Sequence, residues 1–312
     1  MTLRKFRYFF LTILVLLLTG FSGPREEARF KLADMKVSYS PDTFVEMARA
    51  GKLEIVSLFL ETGMNADVRN KKGETALLNA ARYGRLQIVE LLIQKGAELE
   101  TKDARFGATA LIWACTNGYK PIVELLLKQG ADLNAKEPRL GAGALQVAAT
   151  AGKSEIVSLL LEKGVDINAQ DRNGFTALIW AAHNGHAETV QVLVNKGADI
   201  GVKGKKEGLN ALLAAADRGQ TDVVRVLVEK GADINARDIG GKTPLMRAIR
   251  GAWPETSKLL LMRGADPDLK DKEGNTALTI AREYGQREIE KMLTKAPDMP
   301  RQDQEITESD KN

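Results

Sequence analysis

The chain has 312 residues, 44 % hydrophobic and 28 % charged, too apolar for a disordered protein, and its single cysteine cannot build a disulfide framework. Of the 45 basic residues that outnumber 41 acidic ones, Arg4, Lys5 and Arg7 lie in the first 22 positions; without them 42 basic side chains face 41 acidic ones, and the basic pI is no argument for nucleic acid. Two histidines and no Cys/His cluster leave no material for a zinc site, a Cys-His pair or a Ser-His-Asp arrangement.

Residues 1–22 read as a secretory signal peptide. Three positive charges precede an apolar run from Tyr8 to Leu18 broken only by Thr12, and small residues follow. The run is about a dozen residues, short of the roughly 20 a helix needs to cross the hydrocarbon region. Cleavage after Ser22 places Gly20 and Ser22 where small residues are required, and the nearby sequence has no cysteine to be acylated. The alternative is an uncleaved anchor at the membrane face. Residues 23–40 read as a charged linker with little periodicity.

From residue 41 onward two glycine series keep time. One closes each apolar run, at Gly63, Gly96, Gly130, Gly164, Gly197, Gly231 and Gly264; the other runs twelve residues earlier, from Gly51 to Gly219. Two glycines at fixed phase with a period of 33 or 34 mean a repeated turn, helix, turn, helix unit. Thr75, Thr109, Thr176, Thr243 and Thr276 stand where a hydroxyl accepts from the first helical turn, whereas Gly143 and Asn210 lack that threonine. Small pairs such as Ala80-Ala81 and Ala181-Ala182 let helices approach, and the second helix supplies the oily face, as in Ile88, Val89, Leu91, Leu92 and Ile93. Each closing glycine takes the left-handed conformation that ends a helix.

The unit resembles the ankyrin repeat, visible in KGETALLNAARYGRLQIVELLIQKGAEL from Lys72 and NGFTALIWAAHNGHAETVQVLVNKGADI from Asn173. The resemblance covers residues 41–296 and implies an all-α ankyrin-repeat solenoid of about eight helix-turn-helix repeats with β-finger loops. The repeats fall near 41–69, 70–102, 103–136, 137–170, 171–203, 204–237, 238–270 and 271–296, and residues 297–312 read as a disordered polar tail. The family's TPLH signature survives only as Thr243-Pro244-Leu245, and its histidine is absent. Repeat seven, with Ala252 at a glycine position and Thr256-Ser257 in place of an Ile-Val pair, is expected to be the softest internal unit.

Other constellations have plainer readings. The run DIGGKTPL from Asp238 lacks the leading glycine of a phosphate loop, since that position is Ala236, and fits the finger phase. His183 and His186 flank Gly185 at a turn and should point apart. Cys115 fills core volume, Trp113 and Trp180 are expected to pack between repeats, and Asp132, Asp166, Asp199, Asp233 and Asp266 recur as turn formers.

The resemblance implies a non-catalytic protein-protein interaction scaffold whose finger tips and exposed first-helix residues form a concave face. The corresponding positions are Arg82, Tyr83, Arg105, Phe106, Asn117, Arg139, Leu140, Phe175, His183, Asn184, Lys205, Lys206, Asp217, Arg218 and Arg250, a mixture of arginine and aromatics of the kind that dominates interfaces. The expected partner is another protein bound by a monomer, with no cofactor, metal or nucleic acid, and membrane contact only if the N-terminal segment is retained. Export without a disulfide points to the periplasm, with secretion or inner-membrane anchoring as alternatives. A small-molecule binder or enzyme is the remaining alternative, and the sequence offers it no convergent polar cluster.

Overall fold

The computed structural model describes residues 23–295, with the side chain of Lys295 excepted; the expected signal peptide and polar tail lie outside them. The described residues form 17 helices and no strand. None is long and apolar enough to cross a membrane. The fingers are turns, with one isolated bridge between Lys136 and Gly143.

In chain order the helices are α1 (Pro24–Asp34), α2 (Pro41–Ala50), α3 (Leu53–Glu61), α4 (Ala76–Arg82), α5 (Leu86–Gln94), α6 (Ala110–Asn117), α7 (Lys120–Lys128), α8 (Ala144–Thr150) and α9 (Ser154–Glu162). There follow α10 (Ala177–His183), α11 (Ala187–Asn195), α12 (Ala211–Asp217), α13 (Thr221–Glu229), α14 (Pro244–Arg250), α15 (Pro254–Met262), α16 (Ala277–Glu283) and α17 (Arg287–Lys295). They divide into two compact units, the first running to Ala114 with Pro121–Asp132, the second comprising Cys115–Lys120 and everything from Leu133 on.

In the first unit α2 lies against α4, while α1, α3 and α5 form a second row. In the second unit α8, α10, α12, α14 and α16 make one row and α9, α11, α13, α15 and α17 the other. No single helix pair could bury its apolar face, and stacking closes it. The buried positions are narrower than the apolar run of each second helix: Ile88, Val89 and Leu92 in α5, Ile156, Val157 and Leu160 in α9, and Val223, Val224 and Leu227 in α13 are buried, while Leu91, Ile93, Leu159 and Leu161 are only partly covered.

Segment 23–40, expected as a linker, instead carries α1. Pro24 at the first helical turn, Glu26 and Glu27 near the N-terminus and Lys31 near the C-terminus all favour that helix. Its Ala28 and Leu32, one turn apart, are buried against α3. Two buried apolar side chains on a largely charged helix are enough to cover an end, which is why periodicity alone hid it.

The threonine caps form as expected: the hydroxyls of Thr75, Thr109, Thr176, Thr243 and Thr276 each accept from the amide three residues on. Asn210 performs the same task through its side-chain oxygen, 2.9 Å from Leu213 N. At Gly143 the helix is secured from the other direction, because Gln146 Oε1 accepts from Gly143 N at 3.0 Å and Gln146 Nε2 donates to Ala169 O. Both glycine series from Gly51 to Gly264 have positive φ. In repeat seven Ala252 takes that role at φ 58, while Gly251 before it stays right-handed beneath the Trp253 indole. Thr256 and Ser257 are buried yet satisfied, Thr256 by Thr221 Oγ1 at 2.8 Å and Ser257 by the Trp253 carbonyl.

Two further devices interlock repeats of the second unit. Successive fingers are joined through the backbone, Arg172 N to Leu140 O, Lys205 N to Asn173 O, Ile239 N to Glu207 O and Lys272 N to Gly240 O. The residue opening a second helix reaches back over the preceding glycine: His186 bonds Thr150 O above Gly152, and Trp253 Nε1 donates to Asp217 O above Gly219. His183 and His186 therefore do point apart.

Candidate binding face

Most fingers are organised around one polar side chain, the finger at 201–208 having Gly204 at that place. Asp103 Oδ1 accepts from the amides of Arg105 and Phe106, and its other oxygen from Ala108 N and the Trp113 indole at 3.0 Å. Asp171 repeats the scheme with Asn173 N, Phe175 N and Trp180 Nε1. The indoles expected to pack between repeats thus fasten a finger to the first helix of its own repeat. Glu137 holds the amides of Arg139, Leu140 and Ala142 in the same way. Asp166, in a GVD triplet, and the GAD carboxylates Asp199, Asp233 and Asp266 each accept from the amide two residues on, which makes them turn formers.

At the equivalent place in repeat seven stands Arg247, which sequence reading missed. It is 5 % exposed and its guanidinium binds Asp238 through Nε and Nη2, Asp217 through Nη1 at 3.1 Å and Glu207 through Nη2 at 3.1 Å. Burial lowers its pKa, but the bonds and charges of Asp238 and Asp217 outweigh that and the net shift is upward. The signal for it was a basic residue at the phase that carries tryptophan in other repeats, nine residues after a finger aspartate. Asp217 and Arg250, both expected to meet a partner, are joined to each other at 3.2 Å and belong to this network. Arg218 beside them is exposed.

In the first unit the expected residues converge. The Arg82 guanidinium carbon lies 4.1 Å from the Trp113 ring centre and 5.7 Å from that of Tyr83. Arg49, absent from the expected set, covers Tyr83 at 5.0 Å. Arg105 lies over Phe106 at 4.9 Å, and Phe106 meets Trp113 edge-on at 5.6 Å.

In the second unit they are more dispersed. Asn117 ends α6 and is exposed. Arg139 and Leu140 form an exposed finger tip, stiffened by the Arg172 guanidinium on the carbonyls of Pro138 and Arg139. Phe175 is largely a packing residue, against Trp180 at 5.2 Å and against the Leu209, Leu213 and Ala236 cluster. His183 stands edge-on to Trp180 at 6.1 Å, and burial, aided by the nearby Arg218 charge, lowers its pKa. Asn184 donates to Trp180 O, and Lys205 and Lys206 are exposed on the next finger.

A search of curated proteins finds no match. A family model of ankyrin repeats matches in three copies, over residues 44–137, 145–238 and 238–303. Such repeats are generally non-catalytic modules that bind other proteins. With most of its length matched and its described residues stacked as capped helix pairs, the chain belongs to the ankyrin-repeat family.

Proposed function

We propose that this protein is a non-catalytic, monomeric scaffold that holds another protein on the face made by its finger tips and first helices, after export directed by residues 1–22. The observation that carries the reading is the concentration of arginines stacked on aromatic rings along that face, Arg82 on Trp113 and Arg105 on Phe106 above all. Stacked arginine and aromatic side chains offer large contact area at little further cost in rotamer freedom. The second-helix side offers instead the ordinary charged surface of a solvated row, with ion pairs such as Arg263 to Glu229.

The test is in-cell photo-crosslinking from probes placed at Arg105, at Arg139 and, as control, at Lys258 in α15. Discrete protein adducts from the first two positions alone support the reading; equal labelling from Lys258, or none anywhere, overturns it. N-terminal sequencing of protein purified from cells checks export: a start at Gly23 agrees with cleavage after Ser22, and an intact Met1 refutes it and assigns the segment as an anchor.

A further inference from the structure

The first unit contains a groove of about 440 Å³ bounded by α2, α4 and the two neighbouring fingers. Its acids are already engaged. Asp103 is filled by four N–H donors, Glu46 pairs with Arg49 at 3.3 Å, and Glu74 accepts from Asn70 Nδ2 at 3.1 Å. Three of its cations, Lys72, Arg82 and Arg105, have no carboxylate partner among the described residues. Arg82 also lies over the Trp113 ring at 4.1 Å, with the Tyr83 ring centre 5.7 Å away, contacts that restrict its guanidinium while its N–H groups remain its means of recognition. A planar fork fixed before binding suits a carboxylate, which accepts two parallel N–H bonds.

Resting on the protein-binding reading above, we propose that this groove takes an extended acidic peptide segment of the partner, its carboxylates paired with Arg82, Arg105 and Lys72. A phosphodiester chain suits the site less well. It presents one negative charge per nucleotide without interruption, whereas Glu46 and Glu74 line the same groove as the cations. A peptide carries charge only at its acidic side chains, so neutral residues can lie beside Glu46 and Glu74 while the carboxylates meet the cations.

The experiment is fluorescence anisotropy with the purified full chain and a fluorescein-labelled peptide of glycine alternating with aspartate and glutamate. The controls are its asparagine and glutamine counterpart and a labelled 20-nucleotide oligothymidylate. Saturable binding of the acidic peptide, at least tenfold tighter than the amide peptide and weakened by salt, is expected. Arg82→Ala and Arg105→Gln should each weaken it at least fivefold, Arg82→Lys at least threefold because the charge survives without the planar fork, and Arg263→Ala should leave it unchanged. Circular dichroism monitors folding, and the exposed Arg105 keeps the test valid if the Arg82 variants misfold. Equal binding of the acidic and amide peptides, indifference to both arginines, or tighter oligothymidylate binding through them would each overturn the assignment. Crosslinks from Arg105 that persist without acidic-peptide binding would refute this ligand class and leave the protein-binding reading standing; loss of both would remove the two together.

Discussion

Replacing Arg247 should separate the fastening of a finger from the general packing of α14. In Arg247→Ala, Asp238 Oδ2 loses both its guanidinium bonds, and Asp238, whose side chain is 2 % exposed, keeps only the Lys242 amide on its other oxygen. Stripping the partner from a buried ion pair costs about 3–5 kcal/mol. Asp217 still has Arg250, and Glu207, more than half exposed, adds under about 1 kcal/mol. Arg247→Met, which keeps much of the side-chain volume, should cost nearly as much as alanine if the electrostatic part dominates. Arg247→Trp should recover all but about 1.5 kcal/mol, an expectation resting on a comparison within the molecule: Trp113 and Trp180 stand at the same phase and give an indole N–H to their finger aspartates. The allowance covers strain from a bulkier side chain. Urea unfolding followed by circular dichroism gives the stabilities, and hydrogen exchange at the Gly241 and Lys242 amides reports the finger itself, which matters because repeat arrays need not unfold in one step. A loss below about 1 kcal/mol in Arg247→Ala, or an equal loss in Arg247→Trp, would refute the reasoning.

Two substitutions should stabilise. Ala252→Gly relieves a left-handed residue, worth about 1–2 kcal/mol, and returns about 0.4–1 kcal/mol through unfolded-chain entropy, so a net gain of about 0.5–1 kcal/mol should appear as a higher thermal midpoint; an unchanged or lower one contradicts the strain. Thr189→Val removes a buried hydroxyl that has no hydrogen-bond partner among the described residues, at the phase where α13 carries Val223, and should add about 1 kcal/mol in urea unfolding; a variant no more stable than the parent would show that the hydroxyl is satisfied.

The repeat was legible because its backbone demands are met by few residue types. Gly63 and its counterparts take a left-handed φ after each second helix, and Thr75 and its counterparts close the first turn in five repeats, so both appear at fixed phase. Helix α1 was not legible, because Ala28 and Leu32 are its only buried residues and its charges read as linker. At the binding face exposure could be guessed from phase but pairing could not. Phe175 reaches the cluster around Leu209 and Leu213, and Arg247 joins Asp238 of its own repeat to Asp217 and Glu207 from across the repeat boundary. Those contacts depend on which side chains occupy neighbouring repeats, and no single unit's pattern encodes that.

The reach-back of His186 and Trp253 onto the repeat before each has a bearing on how such a chain can grow. Units joined in this way borrow a carbonyl and the space above a glycine from their predecessor, so the joint has a fixed polarity. A whole repeat copied in frame between two others arrives with both halves of the joint. A partial copy, even one that keeps the apolar rhythm, leaves one side chain without its berth, and the array should lengthen by complete units only.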